Sequence, residues 1–484
     1  MKMSVFPNKI INNMKQIKYL FLAATVLYST ACQDLVQGIN DNPNAVPIEA
    51  VSAVGFLTGA QLANIQVQLG HEQRIVSSWS GHYVGYQNLY KSLYEYALTS
   101  GESNGFWSYT YQGVVTQMRY IRKIVPSDKL LVGISKVMEA HSIGTLAAAY
   151  GNIPYSEANN PEISDPKFDS QKAVFAALQI LLDEAITDLT GTTKRVIAED
   201  IHYAGDNAKW IEAANTLKAR YFTLTKEYDK ALVAAQKGIS KPENNFSFKP
   251  IASNNLQDKN LLFSLFSGSR TGDIGNRTSY LITTFLNPAV TTSRNNAKTR
   301  EAARRSFLLL DERNAGNNLG FAAITEPMPM ITYAENQLTL AECATRTQGL
   351  SAGLTFLNAY RVQLNGGKLF RKLNAADELK YDPLLAADFD AGGIENVDKI
   401  DPARALLREV IEERYIAFFN TWMTFNDLRR LRKSEADISV KIPFSKTTVT
   451  KHPERIIYPQ NELNANSNAV EPAEGLYFVL EVNK

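Results

Sequence analysis

Residues 203–224, YAGDNAKWIEAANTLKARYFTL, decide the fold class together with residues 227–245, EYDKALVAAQKGISKPENN. The first stretch has the apolar spacing of a long amphipathic helix. The second carries small residues at Ala231, Ala235 and Gly238, which allow neighbouring helices to approach one another closely. The two stretches together predict a helical hairpin.

The second stretch lies close to the pattern of the second helix of a tetratricopeptide repeat. Tyr228 precedes the small residues, and Pro242 closes the unit because proline cannot continue a helix. Two positions depart from the repeat pattern: Trp210 stands about five residues too early for the tryptophan of the first helix, and Pro242 stands about one too early. We therefore predict a repeat-like hairpin rather than a regular array.

Further helical segments lie on both sides of this hairpin. A helix is predicted from about Lys129 to Ala149, where Gly151 suits a left-handed C-cap and Pro154 cannot continue the helix. The other predicted helical segments are PKFDSQKAVFAALQILLDEAITDLT (166–190), TYAENQLTLAECATR (332–346), GLSAGLTFLNAYRVQL (349–364) and PARALLREVIEERYIAFFNTWMTFNDLRRLRK (402–433). The pattern predicts a mainly all-α fold, with repeat-like hairpins around 129–240 and 331–433.

A loop-rich insertion, residues 241–330, separates the two sets of hairpins. Its first sixty or so residues are rich in Asn, Ser, Gly and Thr and have few long apolar periods. Loops of this length in a compact protein are usually functional or disordered. We expect the insertion to be ordered and functional because aromatic residues can anchor it, namely Phe263, Phe266, Tyr280 and Phe285.

The beginning of the chain has the pattern of an export signal. Lys15 and Lys18 precede a short apolar run, and Ser29-Thr30-Ala31 places small residues in front of Cys32. The run is far shorter than the roughly 20 residues that a membrane-spanning helix needs. We predict a signal peptide at 1–31, with Met14 as an alternative start that would leave 1–13 untranslated.

A cysteine directly after the small residues is typical of a bacterial lipoprotein, whose thiol is acylated. Ser29 departs from that pattern, which usually has leucine at this position, and ordinary cleavage near Ala31 is the alternative. We expect lipid attachment at Cys32, a polar lipid-anchored tether at 32–47, and a single domain at 48–484.

Composition excludes some classes of partner. Hydrophobic residues make up 45% and charged residues 21% of the chain, as in folded globular proteins. The formal net charge of +2 gives no electrostatic basis for binding nucleic acid. If Cys32 is acylated, Cys343 has no partner for a disulfide, and we interpret it as a small buried hydrophobic residue.

Aromatic residues are dense near the beginning of the predicted domain. Trp79, Tyr83, Tyr86 and Tyr90 follow one another at steps of four, three and four, so they would share one face of a continuous helix. One interpretation is a stripe of core residues. The other is an aromatic platform at the surface, which the neighbouring small and polar residues favour.

Catalytic patterns are absent from the sequence. His71-Glu72 has no second histidine at the spacing of a zinc helix, and there is no phosphate-binding loop and no G-x-S-x-G elbow. Glu412 and Glu413 are adjacent on a predicted helix and would point in different directions, so we interpret them as surface charges. The sequence predicts a protein that is not an enzyme, and it shows no pattern for a cofactor or for a metal site.

Six motifs in order resemble the SusD/RagB-like outer-membrane lipoproteins of Bacteroidetes, and the resemblance covers nearly the whole predicted mature chain. They are the leader, YGNIPYSEA (150–158), DIHYAGDNAKWIEAANTLKAR (200–220), ITYAENQLTLAEC (331–343), EERYIAFFNTWMTFNDLRRL (412–431) and PERIIYPQNELNANSNAV (453–470).

This resemblance implies a scaffold of tetratricopeptide-like hairpins, an irregular region that carries ligand contacts, and few short strands. It also implies a lipid-anchored protein on the exterior of the outer membrane. Such a protein captures oligosaccharide or peptide for a SusC-like TonB-dependent transporter barrel, and the hairpins would face the barrel.

By analogy with glycan-binding relatives, the resemblance places ligand contacts in the N-terminal helical region and in the insertion. The expected contacts are the aromatic residues Trp79, Tyr83, Tyr86 and Trp107 and the polar residues Asn104, Arg270 and Asp273. Two other functions remain open: a repeat scaffold for envelope protein assembly, and an extracellular glycoside hydrolase, which would need two facing carboxylates.

Overall fold

The computed structural model describes residues 52–251, 258–268, 270–313 and 319–484. The predicted signal peptide, Cys32, the tether and residues 48–51 lie outside the described residues. The assignment of 48–484 to one domain stays a prediction.

The first described part of the chain is helical but interrupted. Its elements are α1 (Ala53–Leu69), α2 (His71–Trp79), β1 (Val84–Gly85), α3 (Asn88–Tyr94), α4 (Asn104–Ser108) and α5 (Thr116–Ile124). A π-helical stretch, Tyr109–Val115, joins α4 to α5. The residues from Trp79 to Tyr90 are therefore not one helix, because α2 ends at Trp79 and Gly81 takes a left-handed conformation with φ of 75°.

The predicted hairpins follow. Their elements are α6 (Lys129–Tyr150), β2 (Ile153–Pro154), β3 (Phe168–Asp169), α7 (Gln171–Thr190), α8 (Asn207–Leu224) and α9 (Tyr228–Ala235). The side chains of Asp128, Ser170 and Asp206 cap α6, α7 and α8 by accepting hydrogen bonds from backbone N–H groups of the first turn. Gly151 ends α6 with φ of 93°, as its position in the sequence predicts.

Small residues allow the hairpin to pack closely, as the sequence indicates. Ala231 and Ala235 of α9 share a small apolar cluster with Cys343, which is buried. A Cβ atom added to Gly238 would lie 2.1 Å from the side-chain oxygen of Asn336, so a larger residue does not fit there.

The insertion contains short elements: β4 (Phe246–Phe248), α10 (Leu261–Ser267), β5 (Ile274–Gly275), β6 (Thr299–Arg300), α11 (Ala302–Leu308) and β7 (Met328–Ile331). Its strands pair with other parts of the chain as well as with one another. β5 pairs antiparallel with β1, and β4 pairs with β7. The pairing of β5 with β1 ties the insertion to the N-terminal region.

The last part of the chain returns to paired helices. Its elements are α12 (Tyr333–Gln348), α13 (Leu350–Asn365), β8 (Lys380–Tyr381), α14 (Pro402–Ala417), α15 (Trp422–Arg432) and α16 (Gln460–Ala465). Strand β8 pairs with β6 of the insertion. The prediction of a mainly helical fold with few short strands is confirmed.

Candidate functional site

Trp79 and Tyr83 lie in the core. Trp79 is 2% exposed, and its indole Nε1 donates a hydrogen bond to the carbonyl oxygen of Leu93 at 2.8 Å. Tyr83 is 1% exposed, and its hydroxyl donates to Oδ1 of Asn420 at 2.7 Å. Burial raises the pKa of Tyr83 well above its ordinary value. Neither ring offers a face to solvent, so the core interpretation describes these two residues.

Tyr86 is only half-buried, and it lies where the N-terminal region meets the insertion. Its backbone N–H, directly after β1, donates to the carbonyl oxygen of Asp273, directly before β5, at 2.8 Å. Its hydroxyl lies 2.9 Å from Oγ1 of Thr278, and the guanidinium of Arg277 lies 5.6 Å from the ring centroid. Burial is the first cause of the raised pKa of Tyr86.

Arg270 and Asp273 lie beside Tyr86. A nitrogen of the Arg270 guanidinium, Nη1, lies 3.3 Å from Oδ2 of Asp273, and Nδ2 of Asn88 donates to Oδ1 of Asp273 at 2.7 Å. The carboxylate of Asp273 is buried and therefore holds the insertion to the beginning of α3. The structure thus brings together three of the seven residues expected from the resemblance.

Asn104 and Trp107 form a separate pair. Trp107 is 8% exposed, and its ring packs 4.9 Å from that of Tyr111 beside a cavity of about 320 Å³. The side-chain oxygen of Asn104 accepts a hydrogen bond from the backbone N–H of Asn461 at 3.0 Å. Asn461 belongs to the C-terminal segment that borders this cavity.

Sequence reasoning missed two further aromatic residues: Tyr94, whose phenol lies near that of Tyr86, and Phe444, whose segment contacts the end of α3. Tyr94 at the end of α3 is half-buried, and its pKa is raised first by burial and then by the neighbouring phenols of Tyr96 and Tyr86. Phe444 is 43% exposed and stacks on His452, with ring centroids 4.5 Å apart.

Two contacts hold the segment of Phe444 against the end of α3. The backbone N–H of Ser445 donates to the hydroxyl of Tyr96, and Nζ of Lys446 lies 3.6 Å from a carboxylate oxygen of Glu95. Tyr94 could have been found from the sequence, because it belongs to the aromatic-rich stretch near Tyr86. Nothing in the sequence indicates that Phe444 lies near residues some 350 positions earlier.

We call Tyr86, Tyr94 and Phe444, with Asn88, Arg277 and Thr278, the Tyr86 surface.

A second candidate is a groove on the hairpins. It has a volume of about 520 Å³ between α7, α8 and α9, and its apolar lining includes Ile186, Ile211, Phe222 and Val233. Lys218 and Asp183 form an ion pair at its edge.

The prediction that Glu412 and Glu413 are surface charges is wrong for Glu413. Its carboxylate is fully buried, and it accepts hydrogen bonds from Arg294 at 2.7 Å and from Arg304 at 3.0 Å. These arginines lower the pKa of Glu413 to about 2 against the effect of burial. The helix places Glu413 on the side that faces the insertion, where its carboxylate forms ion pairs with Arg294 and Arg304. These ion pairs join α14 to the insertion.

The described residues show neither a metal-binding cluster nor a membrane-spanning helix. No group of three or more His, Cys, Asp or Glu side chains in this part of the chain is arranged to hold a metal ion. Within the same ranges, every helix is too short or too polar to cross a membrane.

Comparisons with known proteins agree with this architecture. A model of a SusD-like family, described as starch-binding and associating with the outer membrane, matches residues 43–261. No curated protein matches the chain. Many solved structures do, and all those compared are less than 25% identical to it, so they bear on the fold alone.

Three of these structures illustrate the likeness. A chitin-binding SusD homologue from Flavobacterium johnsoniae is 17% identical with a TM-score of 0.66, over 89% of this chain and 98% of that one. A SusD homologue from Bacteroides fragilis is 16% identical with a TM-score of 0.62, over 90% and 100%. A SusD/RagB family protein from Bacteroides thetaiotaomicron is 18% identical with a TM-score of 0.59, over 86% and 95%.

Proposed function

We propose that the chain, which belongs to the SusD/RagB-like family, captures carbohydrate at the outer membrane and makes or breaks no bond in it. The family description and the chitin-binding homologue support a carbohydrate ligand. The finer parts of the proposal are a lipid anchor at Cys32, a position on the cell exterior, and delivery to a SusC-like TonB-dependent transporter. Peptide remains the alternative ligand.

The observation that carries the proposal is the Tyr86 surface. The faces of sugar rings are apolar enough to stack on tyrosine and phenylalanine, and Tyr86, Tyr94 and Phe444 are all at least partly exposed. Sugar hydroxyls need donors and acceptors at the edges of those rings. Asn88, Arg277 and Thr278 supply both kinds of group.

Rigid supports hold this surface in place. The buried carboxylate of Asp273 bonds Asn88 and Arg270, and the pairing of β1 with β5 fixes the backbone of Tyr86. A surface that is ordered before the ligand arrives loses less entropy on binding. This favours ligand capture over a purely mechanical role for the insertion.

The groove on the hairpins favours a second candidate function, a repeat scaffold for envelope protein assembly. Its apolar lining suits a protein surface. Extraction of outer membranes in mild detergent distinguishes the two functions. A nutrient-binding protein should be recovered together with a large β-barrel protein, which is the result we expect. A scaffold protein should be recovered with nascent envelope proteins and without a barrel.

The hydrolase alternative has less support. Glu409 and Glu413, one helical turn apart on α14, both accept hydrogen bonds from Arg294, and both are buried. A glycoside hydrolase needs one carboxylic acid to protonate the glycosidic oxygen and a second carboxylate to act as nucleophile or base. Glu409 and Glu413 are held in ion pairs with Arg294 and are not free to take these roles. Incubation with soluble glycans tests this point, because any shorter product would support the hydrolase.

Affinity electrophoresis tests ligand capture. We expect the purified protein to be slowed in gels that contain a soluble polysaccharide such as starch or glycol chitin. We expect Tyr86→Ala to weaken that binding about tenfold, because a stacked aromatic ring contributes up to about 1.5 kcal/mol.

Tyr109→Ala is the matched control, since Tyr109 is also an exposed tyrosine of the N-terminal region but lies outside the Tyr86 surface. If both substitutions weaken polysaccharide binding equally, or if Tyr86→Ala does not weaken it, the Tyr86 surface is not the binding site.

A further inference from the structure

A cleft separates the first two helices from the insertion. It has a volume of about 330 Å³ and is bordered by Gln66 of α1, Arg74 of α2, and Leu261, Ser264 and Arg270 of the insertion. The cleft adjoins the Tyr86 surface, because Arg270 contacts the side chain of Asp273, whose carbonyl oxygen accepts the N–H of Tyr86.

Arg74 extends into this cleft without an acidic partner. Its Nε donates to the hydroxyl of Tyr90 at 2.9 Å and its Nη1 to the carbonyl oxygen of Leu69 at 3.4 Å. Among the described residues, no carboxylate oxygen lies within 4.0 Å of its guanidinium. These two partners orient the guanidinium, and neither of them carries a charge that would neutralise it.

The neighbouring acidic residue does not cancel this charge. Glu72 is buried and faces away from the cleft toward α4, where its Oε1 accepts the backbone N–H of Phe106 at 3.2 Å. Burial raises the pKa of Glu72 to about 7. A large share of Glu72 is therefore uncharged near neutral pH.

Arg270 adds a second positive group. Its side chain is 47% exposed and meets Asp273 through a single nitrogen at 3.3 Å. The carboxylate of Asp273 is shared with Asn88, so the remaining donors of Arg270 are available to a ligand. His71 lies near both arginines, and burial together with Arg74 lowers its pKa to about 4, so it is neutral at pH 7.

We infer that this cleft binds an anionic substituent, a carboxylate or a sulfate, of the sugar chain that the Tyr86 surface takes. The inference rests on the proposed function and narrows its ligand to acidic oligosaccharides. A planar guanidinium presents paired donors that match the two oxygens of a carboxylate or sulfate. Two arginines on opposite walls of one cleft can hold such a group between them.

Matched polymers test the inference. The purified protein is run in gels that contain polygalacturonate, its fully methyl-esterified form, dextran sulfate or dextran. We expect a charged polymer to bind at least about tenfold more strongly than its neutral counterpart, since charge-assisted hydrogen bonds are stronger than neutral ones. Polygalacturonate and dextran sulfate distinguish a carboxylate ligand from a sulfate ligand.

Variants locate the effect. Arg74→Gln and Arg270→Gln should each weaken binding of the charged polymer about tenfold, and the double variant should bind charged and neutral polymers equally. Arg195→Gln is the control, because it removes one exposed positive charge that pairs with Asp128 elsewhere on the molecule. Arg74→Lys, which keeps the charge, and thermal denaturation show whether any loss comes from misfolding.

The outcomes separate this inference from the proposed function. If starch or glycol chitin is retained but neither charged polymer exceeds its neutral counterpart, the anion site is overturned and carbohydrate capture stands. If the charged polymers are retained equally by the double variant, the anion site is also overturned. If no polymer of any kind is retained, both proposals fail.

Discussion

Trp79 shows what a single buried aromatic residue contributes to this fold. Its ring packs 5.9 Å from that of Phe425 of α15 and 6.2 Å from that of Tyr96, and its indole nitrogen bonds the end of α3. It therefore joins α2 to the end of α3 and also to α15, which is distant in the sequence. A residue buried in this way contributes to stability and offers no exposed ring face for stacking.

We predict that Trp79→Ala lowers the free energy of unfolding by about 3 to 5 kcal/mol, because it leaves a cavity and an unpaired carbonyl group. Urea denaturation followed by circular dichroism measures this change. Tyr86→Ala, at a half-buried position, should cost about 1 kcal/mol or less. If Tyr86→Ala is the more destabilising of the two, the assignment of their roles is wrong.

The spacing of the aromatic residues could not separate these roles. Steps of four, three and four predict one shared face only while the helix continues, and Gly81 interrupts it at φ of 75°. After the interruption, Tyr83 points into the core whereas Tyr86 follows β1 to the boundary with the insertion. The partner of β1 lies about 190 residues later, which no local pattern reveals.

At the scale of elements, Glu72 links α2 to α4. It lies in the first turn of α2 and accepts the N–H of Phe106, one of the backbone donors near the beginning of α4. Burial raises its pKa from 4.5 to about 7. Because the folded state prefers the protonated acid, this residue favours folding most at low pH and progressively less as the pH rises through 7.

We predict that Glu72→Gln stabilises the protein at pH 8 by up to about 3 kcal/mol and has little effect at pH 4.5. Glutamine keeps the acceptor for Phe106 and cannot ionise. Denaturation of both proteins across this range measures the difference. A constant difference at every pH would show that the ionisation of Glu72 is not responsible.

The helices themselves were predictable from local signals. The stop at Gly151 and the small residues of α9 act over a few positions, and each does in the structure what the sequence indicates. The candidate site was not predictable in this way. Its parts come from α3, the insertion and the C-terminal tail, which meet through strand pairs and side-chain contacts between distant residues.

At the scale of the whole molecule, buried ion pairs hold the insertion to the helical scaffold. Arg294 of the insertion donates to Glu409 and Glu413 of α14 at 2.7 Å each. Arg220 of α8 donates to Glu335 of α12 at 2.6 Å. Breaking a buried pair on one side leaves an uncompensated charge, so such pairs specify one arrangement of the scaffold. The Tyr86 surface therefore sits on a well-fixed support.

The most direct test of carbohydrate capture at the Tyr86 surface is hydroxyl-radical footprinting, read by mass spectrometry, with and without a polysaccharide that the protein retains in gels. We predict that the ligand protects Tyr86, Tyr94 and Phe444 from oxidation and leaves Phe222 and Val233 of the hairpin groove unchanged. Protection confined to the groove, or none at the three aromatic residues, would contradict this account.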